Sequence, residues 1–296
     1  MQKYNFFLAG APKCGTTSLQ YYLDQHPRIC MSNPKEPHFF GTDLRGYRAN
    51  ESELEYHNIC RKDQGSIMGE ASVFYLMSAD AFEQIHAYNS DSKFVIMLRD
   101  PIEMIPSLHS QLVYTQDENI EDFSVAWNIS RKRQNGYYVP KRARSHLPLQ
   151  YRECAKYAKQ LGKLKKYFNN NNLHIILFDE FKRDPRRCVS QVLNFLEIQD
   201  FSDKIQYKLC NPNTMNRSRL IARFLRHPPS IVVRLKRSLL GRGRSSFRDK
   251  LIDINTLQAF REPLDPDIKR EIITEYREDV SDLSKLIGRP LTNWLS

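Results

Sequence analysis

The run Tyr4–Ala9 (YNFFLA) passes without a break into GAPKCGTTSL at residues 10–19, and the residues after it are spaced as a helix, Thr17–Gln25. A strand that is apolar at nearly every position is buried on both faces, which implies a parallel sheet covered by helices. A glycine-bearing turn between such a strand and a helix start points backbone N–H groups inward, where the helix dipole favours an anion. Gly10 and Gly15 supply the turn, and Thr16 and Thr17 open the helix. The Thr hydroxyls can serve as helix caps, as phosphate ligands, or as both.

The same strand type returns at Lys93–Leu98 (KFVIML) and Leu173–Phe178 (LHIILF). Helical spacing fills Ala79–Tyr88, Ile102–Tyr114, Tyr151–Phe168, Arg186–Leu196 and Asp267–Leu286. Alternating strand and helix is the α/β signature. The chain of 296 residues, 41% hydrophobic, is long enough for one such domain over its whole length. The expectation is a P-loop-like central parallel sheet flanked by helices. Residues 117–148 and 217–250, rich in charge and broken by Gly and Pro, read as insertions of the kind that shape a ligand pocket.

No apolar run of about 18 residues appears, and the first strand starts too early to leave room for a leader or anchor. The chain therefore reads as soluble and cytoplasmic. Its six cysteines form no CxxC pair, so free thiols are expected. The net charge of +11 is concentrated: from Arg217 to Lys250 eleven Lys and Arg face one acid, Asp249. A general nucleic-acid binder would carry a wider basic surface, so no nucleic-acid partner is expected. A single basic segment suits a local anionic ligand, an acidic acceptor or a membrane face.

A nucleotide kinase or other P-loop NTPase needs lysine directly after the second glycine, with a hydroxyl on Mg²⁺. Here Thr16 holds that place, and the lysine, Lys13, comes three residues earlier. A sulfuryl group carries less charge than a terminal phosphoryl, so a lysine with helix-end donors can replace the metal.

APKCGTTSL resembles the 5′-phosphosulfate loop of sulfotransferases that use 3′-phosphoadenosine-5′-phosphosulfate (PAPS). KFVIMLRDPIEMIPSLHS is similar to that family's 3′-phosphate site, and LHIILFDEFKRDPRRCVSQVLNFLEI to its late strand and helix. YREDVSDLSKLIGRPLTNWL resembles the end of its bacterial-type members. The resemblance implies transfer of a sulfuryl group from PAPS to a hydroxyl, with an amine as the lesser alternative, on a carbohydrate or small-molecule acceptor. It implies a loop of Lys13, Cys14, Gly15, Thr16, Thr17 and Ser18 on the 5′ side, with Lys13 on the bridging or sulfuryl oxygens and no metal. Arg99 and Ser107 match the 3′-phosphate contacts; read without the resemblance, Arg99 would pair with Asp100, and Pro106 would bend the helix that carries Ser107. A late basic loop closes over the nucleotide in this family, a part Arg217 or Arg219 could take.

GEASVFYL (residues 69–76) stands where heparan-type members carry Glu-Lys-Ser/Thr-Pro-x-Tyr, with Ala71 and Val73 replacing the lysine and proline. That puts a heparan-like acceptor in doubt and favours a bacterial-type relative. In NPKEPHFF (residues 33–40), Pro37 disfavours the helical region for Glu36, so an extended run is expected. Glu36 and His38 would then share a face, and periodicity does not choose between them as catalytic base. The plain alternative is a packed His38 beside Phe39 and Phe40, with Glu36 paired to Lys35. The segment resembles the Glu-x-His-Phe-Phe stretch of heparan-type sulfotransferases, which makes Glu36 the base and His38 a positioning residue.

Overall fold

The computed structural model describes residues 3–50, 52–60, 67–208, 214–216, 218, 254–258 and 263–296. Five parallel strands form the central sheet: β1 (Phe6–Gly10), β2 (Ile29–Met31), β3 (Ile67–Glu70), β4 (Lys93–Leu98) and β5 (Leu173–Leu177). Their order is β2-β3-β1-β4-β5. Every residue of β1 is buried, as are all but the first of β4, so these two apolar runs mark strands covered on both faces; the third, β5, is instead an edge strand with its first three residues only partly buried. Phe7 stacks on Phe94 across the β1–β4 pair at 5.6 Å. Each such side chain taken fully out of water contributes ~1.5–3 kcal/mol.

Chain direction changes at the centre of the sheet. The segment leaving β1 travels through α1 (Thr16–Asp24) to the β2 edge, whereas the segment leaving β4 travels the other way to β5. The carboxyl ends of β1 and β4 therefore flank a topological switch point, the place where open α/β sheets bind ligands. The remaining helices among the described residues are α2 (Glu53–Asn58), α3 (Ala81–Tyr88), α4 (Pro101–Thr115), α5 (Phe123–Arg133), α6 (Tyr157–Leu164), α7 (Phe178–Arg183), α8 (Pro185–Phe195) and α9 (Pro266–Ile287). A small antiparallel pair, β6 (Thr214–Asn216) with β7 (Thr256–Gln258), stands apart from the main sheet. No helix among the described residues is long and apolar enough to cross a membrane.

Several expectations change. β2 and β3 are three and four residues long, too short to leave a periodic signal. The helix expected over Tyr151–Phe168 is confined to Tyr157–Leu164; Asp279 of α9 accepts the Ala158 and Lys159 N–H groups and so fixes its start. α4 runs on through Pro106. The insertion at 117–148 contains α5 and is bolted to the core. Glu118 and Arg133, both fully buried, pair at 2.6 and 2.9 Å, and Tyr151 donates to the same carboxylate.

The expectation of free thiols is corrected in part. Cys30 and Cys60 are joined by a disulfide, their Cα atoms 5.9 Å apart, because Asn33 N–H bonds Ile59 C=O and draws the two segments together. Cys14, Cys154 and Cys188 are free and buried. Cys210 and, except for Ser218, the whole basic segment 217–250 with Arg217 and Arg219 lie outside the described residues.

Candidate active site

β1 ends at the loop 10–15. A side chain at Gly10 would stand 2.8 Å from the Leu76 Cβ, so the loop lies directly on the 3₁₀ turn Val73–Leu76. Ala11 N–H donates to Met97 C=O at 2.6 Å, which ties the loop to β4 on its other side. Gly15 sits at φ 88°, in the left-handed region that glycine occupies without strain, and turns the chain into α1. The expected Thr caps are not made: the cap position is Gly15, without a capping side chain, and the first turn carries no acid. The helix start thus offers its N–H groups and dipole to an anion.

Side chains alternate along the loop. Cys14, Thr16 and Ser18 are buried, whereas Lys13, Gly15 and Thr17 are partly exposed. The Cys14 thiol donates to Pro12 C=O, and burial pushes it up to about 12, so a part for Cys14 in ligand binding falls to its backbone.

Arg99 follows β4 and reaches the same loop. Its Nη1 donates to Lys13 C=O at 3.1 Å, and its guanidinium lies 4.5 Å over the Phe178 ring. Its acidic partner is Glu103, at 2.9 and 2.6 Å, and not Asp100. Asp100 is engaged elsewhere: it caps α4 through Ile102 N–H and accepts Leu295 N–H. Among the described residues these bonds use three of the five guanidinium N–H groups, leaving two for a phosphate. Tyr157 OH donates to Arg99 C=O, fixing the backbone as well. Ser107 lies two turns into α4 and is 1% exposed.

Residues 33–40, which follow β2, pack on the same segment 71–76 that the loop touches. The expectation of an extended run is overturned: Glu36 has φ 59° and His38 φ 45°. Tertiary contacts outweigh the local preference. Glu36 N–H donates to Ala71 C=O at 3.0 Å and His38 N–H to Ser72 Oγ at 2.9 Å. Alternate residues therefore do not share a face; the His38 ring folds back so that Nδ1 meets Glu36 C=O at 2.9 Å.

The two candidate bases differ in access. His38 is 1% exposed, stacked on Phe74, and burial brings its imidazole down to about 4. The Glu36 side chain is 29% exposed and forms an ion pair with Lys35. Burial works to raise its carboxyl, but Lys35, His38 and Arg144 together hold it below the usual carboxylate range. At neutral pH Glu36 is an ionised acceptor at the surface, and His38 is a neutral ring in the core.

Sequence reasoning missed Arg144. It lies in the 117–148 insertion, clamped by Asp117 at 2.5–3.2 Å and stacked on Tyr47. From there its charge acts on both Glu36 and His38. Nothing in the spacing of that basic stretch distinguishes Arg144 from its neighbours, since the placement depends on Asp117, 27 residues away.

The family described as the sulfotransferase domain matches residues 3–220. A sulfotransferase from Alicyclobacillus acidocaldarius superposes with a TM-score of 0.71 at 26% identity, covering 100% of both chains. The chain is 31% identical to the membrane-associated sulfotransferase kil1 of Dictyostelium discoideum over 102 residues, 33% of this chain and 21% of that protein. It is 29% identical to human carbohydrate sulfotransferase 15 over 164 residues, 40% of this chain and 29% of that protein. The matched stretches thus span less than a third of these two relatives.

Proposed function

Since the chain belongs to the sulfotransferase family, we propose that it transfers a sulfuryl group from PAPS to a hydroxyl of a carbohydrate or small-molecule acceptor, an amine being the lesser alternative. The observation that supports this reading most is the bond from Arg99 to the Lys13 carbonyl, which joins the loop and the residue after β4 that the resemblance assigns to the donor. The loop with the α1 N-terminus takes the 5′-phosphosulfate, and Arg99 with Ser107 takes the 3′-phosphate. Glu36 removes the acceptor proton as the acceptor oxygen attacks sulfur. The bond from sulfur to the phosphate oxygen breaks, and Lys13 with the loop N–H groups stabilises the charge left on that oxygen.

A carbohydrate acceptor draws support from the relative named a carbohydrate sulfotransferase, while Ala71, where heparan-type enzymes carry lysine, weighs against a heparan-like chain. PAPS carrying labelled sulfur, offered with neutral oligosaccharides, acidic polysaccharides and small hydroxylated compounds, tests the reading. Label should move to at least one hydroxyl-bearing class. Label moving to none of them, with PAP bound normally, would overturn this acceptor assignment.

A further inference from the structure

Glu70 ends β3 with 0% exposure, and among the described residues no Lys, Arg or His pairs with it. A carboxylate buried without a cation is costly and persists only where hydrogen bonds hold it. Its Oε2 accepts both the Tyr56 and the Tyr75 hydroxyl.

Those tyrosines face the segment that carries Glu36. Tyr75 OH also accepts Phe40 N–H at 3.2 Å, and Tyr56 stacks on Phe39 at 4.3 Å with the rings 8° from parallel. With Ala71 C=O on Glu36 N–H and Ser72 Oγ on His38 N–H, the N–H groups of residues 36, 38 and 40 all dock on residues 71–75. Two residues in this segment have positive φ without being glycine, a conformation that lasts only where the surroundings impose it. Glu70 fixes the Tyr75 hydroxyl that takes the Phe40 N–H and the Tyr56 hydroxyl whose ring stacks on Phe39.

We propose that Glu70 is a positioning residue for Glu36: through Tyr75 and Tyr56 it holds residues 38–40, and so sets where the Glu36 carboxylate meets the acceptor. The proposal rests on Glu36 being the base. A residue that served the fold alone would lower stability and leave the turnover of the folded enzyme intact. A positioning residue affects kcat, since a displacement of about 1 Å costs on the order of 10²-fold in rate.

The test measures kcat, acceptor KM, PAP affinity and thermal unfolding for Glu70→Leu, Glu70→Gln, Tyr75→Phe and Glu36→Gln. Tyr75→Phe removes the hydroxyl and keeps the ring, so it carries the test even where Glu70→Leu fails to fold. Glu70→Gln retains an oxygen that can accept both hydroxyls. The expected result is a kcat roughly tenfold to a hundredfold lower for Tyr75→Phe and Glu70→Leu, with PAP affinity unchanged and most of the turnover kept by Glu70→Gln. Wild-type kcat in folded Tyr75→Phe, or PAP affinity falling in step with kcat, overturns the proposal. If Glu36→Gln keeps full activity, the base assignment falls and this role goes with it. If Glu36→Gln is inactive but Tyr75→Phe turns over normally, only the positioning role falls.

Discussion

The proposed donor wall is fixed mainly through backbone carbonyls, its own and that of Met97 in β4, whereas the proposed acceptor wall leans on side chains far along the chain. In the loop, Cys14 bonds Pro12 C=O and Leu19 N–H bonds Gly15 C=O, and Arg99 takes its ionic partner four residues on. In the segment 33–40, the bonds to Ser72 and Tyr75 cross 34 and 35 residues, and Arg144 approaches from an insertion clamped by Asp117. A wall tied through backbone groups keeps its shape when one distant side chain changes. One set by distant hydroxyls and carboxylates does not. Donor binding and acceptor activation should therefore be separable by mutation.

The largest separation is expected at Glu36. Loss of a general base typically costs ~10²–10⁴ in rate. Glu36→Gln should lower kcat by that order and leave PAP affinity nearly unchanged, as steady-state rates alongside calorimetric titration would show. His38→Ala abolishing activity while Glu36→Gln spares it would move the base to the buried ring.

The next effect concerns stability against pH. Burial pushes the Glu70 carboxyl from its ordinary 4.5 up to about 7, against hydrogen bonds from Ser72, Tyr56 and Tyr75 that act to lower it. A carboxyl with a raised folded value favours the folded state most at low pH. That contribution is complete below the unfolded value and is lost as pH rises through about 7, a change on the order of 3 kcal/mol. His38 acts in the opposite sense: its contribution is complete above 6.5 and lost as pH falls toward about 4. Comparing wild type with Glu70→Gln cancels the His38 part. Denaturant unfolding from pH 5 to 8 should show wild type losing stability relative to the variant, and parallel curves would mean that Glu70 does not titrate in this range.

Arg99 gives the smaller and more selective change. Removing a charge-assisted phosphate contact costs ~1.5–3 kcal/mol. Arg99→Ala should weaken PAP by that amount and AMP, which lacks the 3′-phosphate, far less. Equal losses for both nucleotides would make Arg99 a prop for the Lys13 loop, to which it also donates, and would blur the contrast between the walls.

This contrast decides how much could be read from the residues. Phe6–Gly10 and Lys93–Leu98 were legible because central strands buried on both faces are apolar throughout, whereas Leu173–Leu177 shows the same run as an edge strand whose first three residues are only partly buried. The loop was legible because glycine, lysine and helix start are contiguous. β2 and β3 were not, since three and four residues carry no period. Local rules also misjudged residues 36–38. Pro37 argues for extension, but the carbonyl of Ala71 and the hydroxyl of Ser72 take the N–H groups in another conformation. Spacing could not bring the Arg144 charge to bear on Glu36 or link Glu70 to Phe40 through Tyr75, because these placements come from packing between segments distant in sequence.

The Lys13 loop and Arg99 are together proposed to hold the 3′,5′-bisphosphate nucleotide of PAPS. Thermal unfolding with PAP tests this most directly. A ligand bound only by the folded state stabilises it by RT ln(1 + [L]/Kd), so PAP at ~100 times its Kd should add about 2.7 kcal/mol. The account predicts that this shift persists in EDTA and exceeds the shift with AMP at the same concentration. No shift with PAP, or a response to ATP that appears only when Mg²⁺ is added, would contradict it.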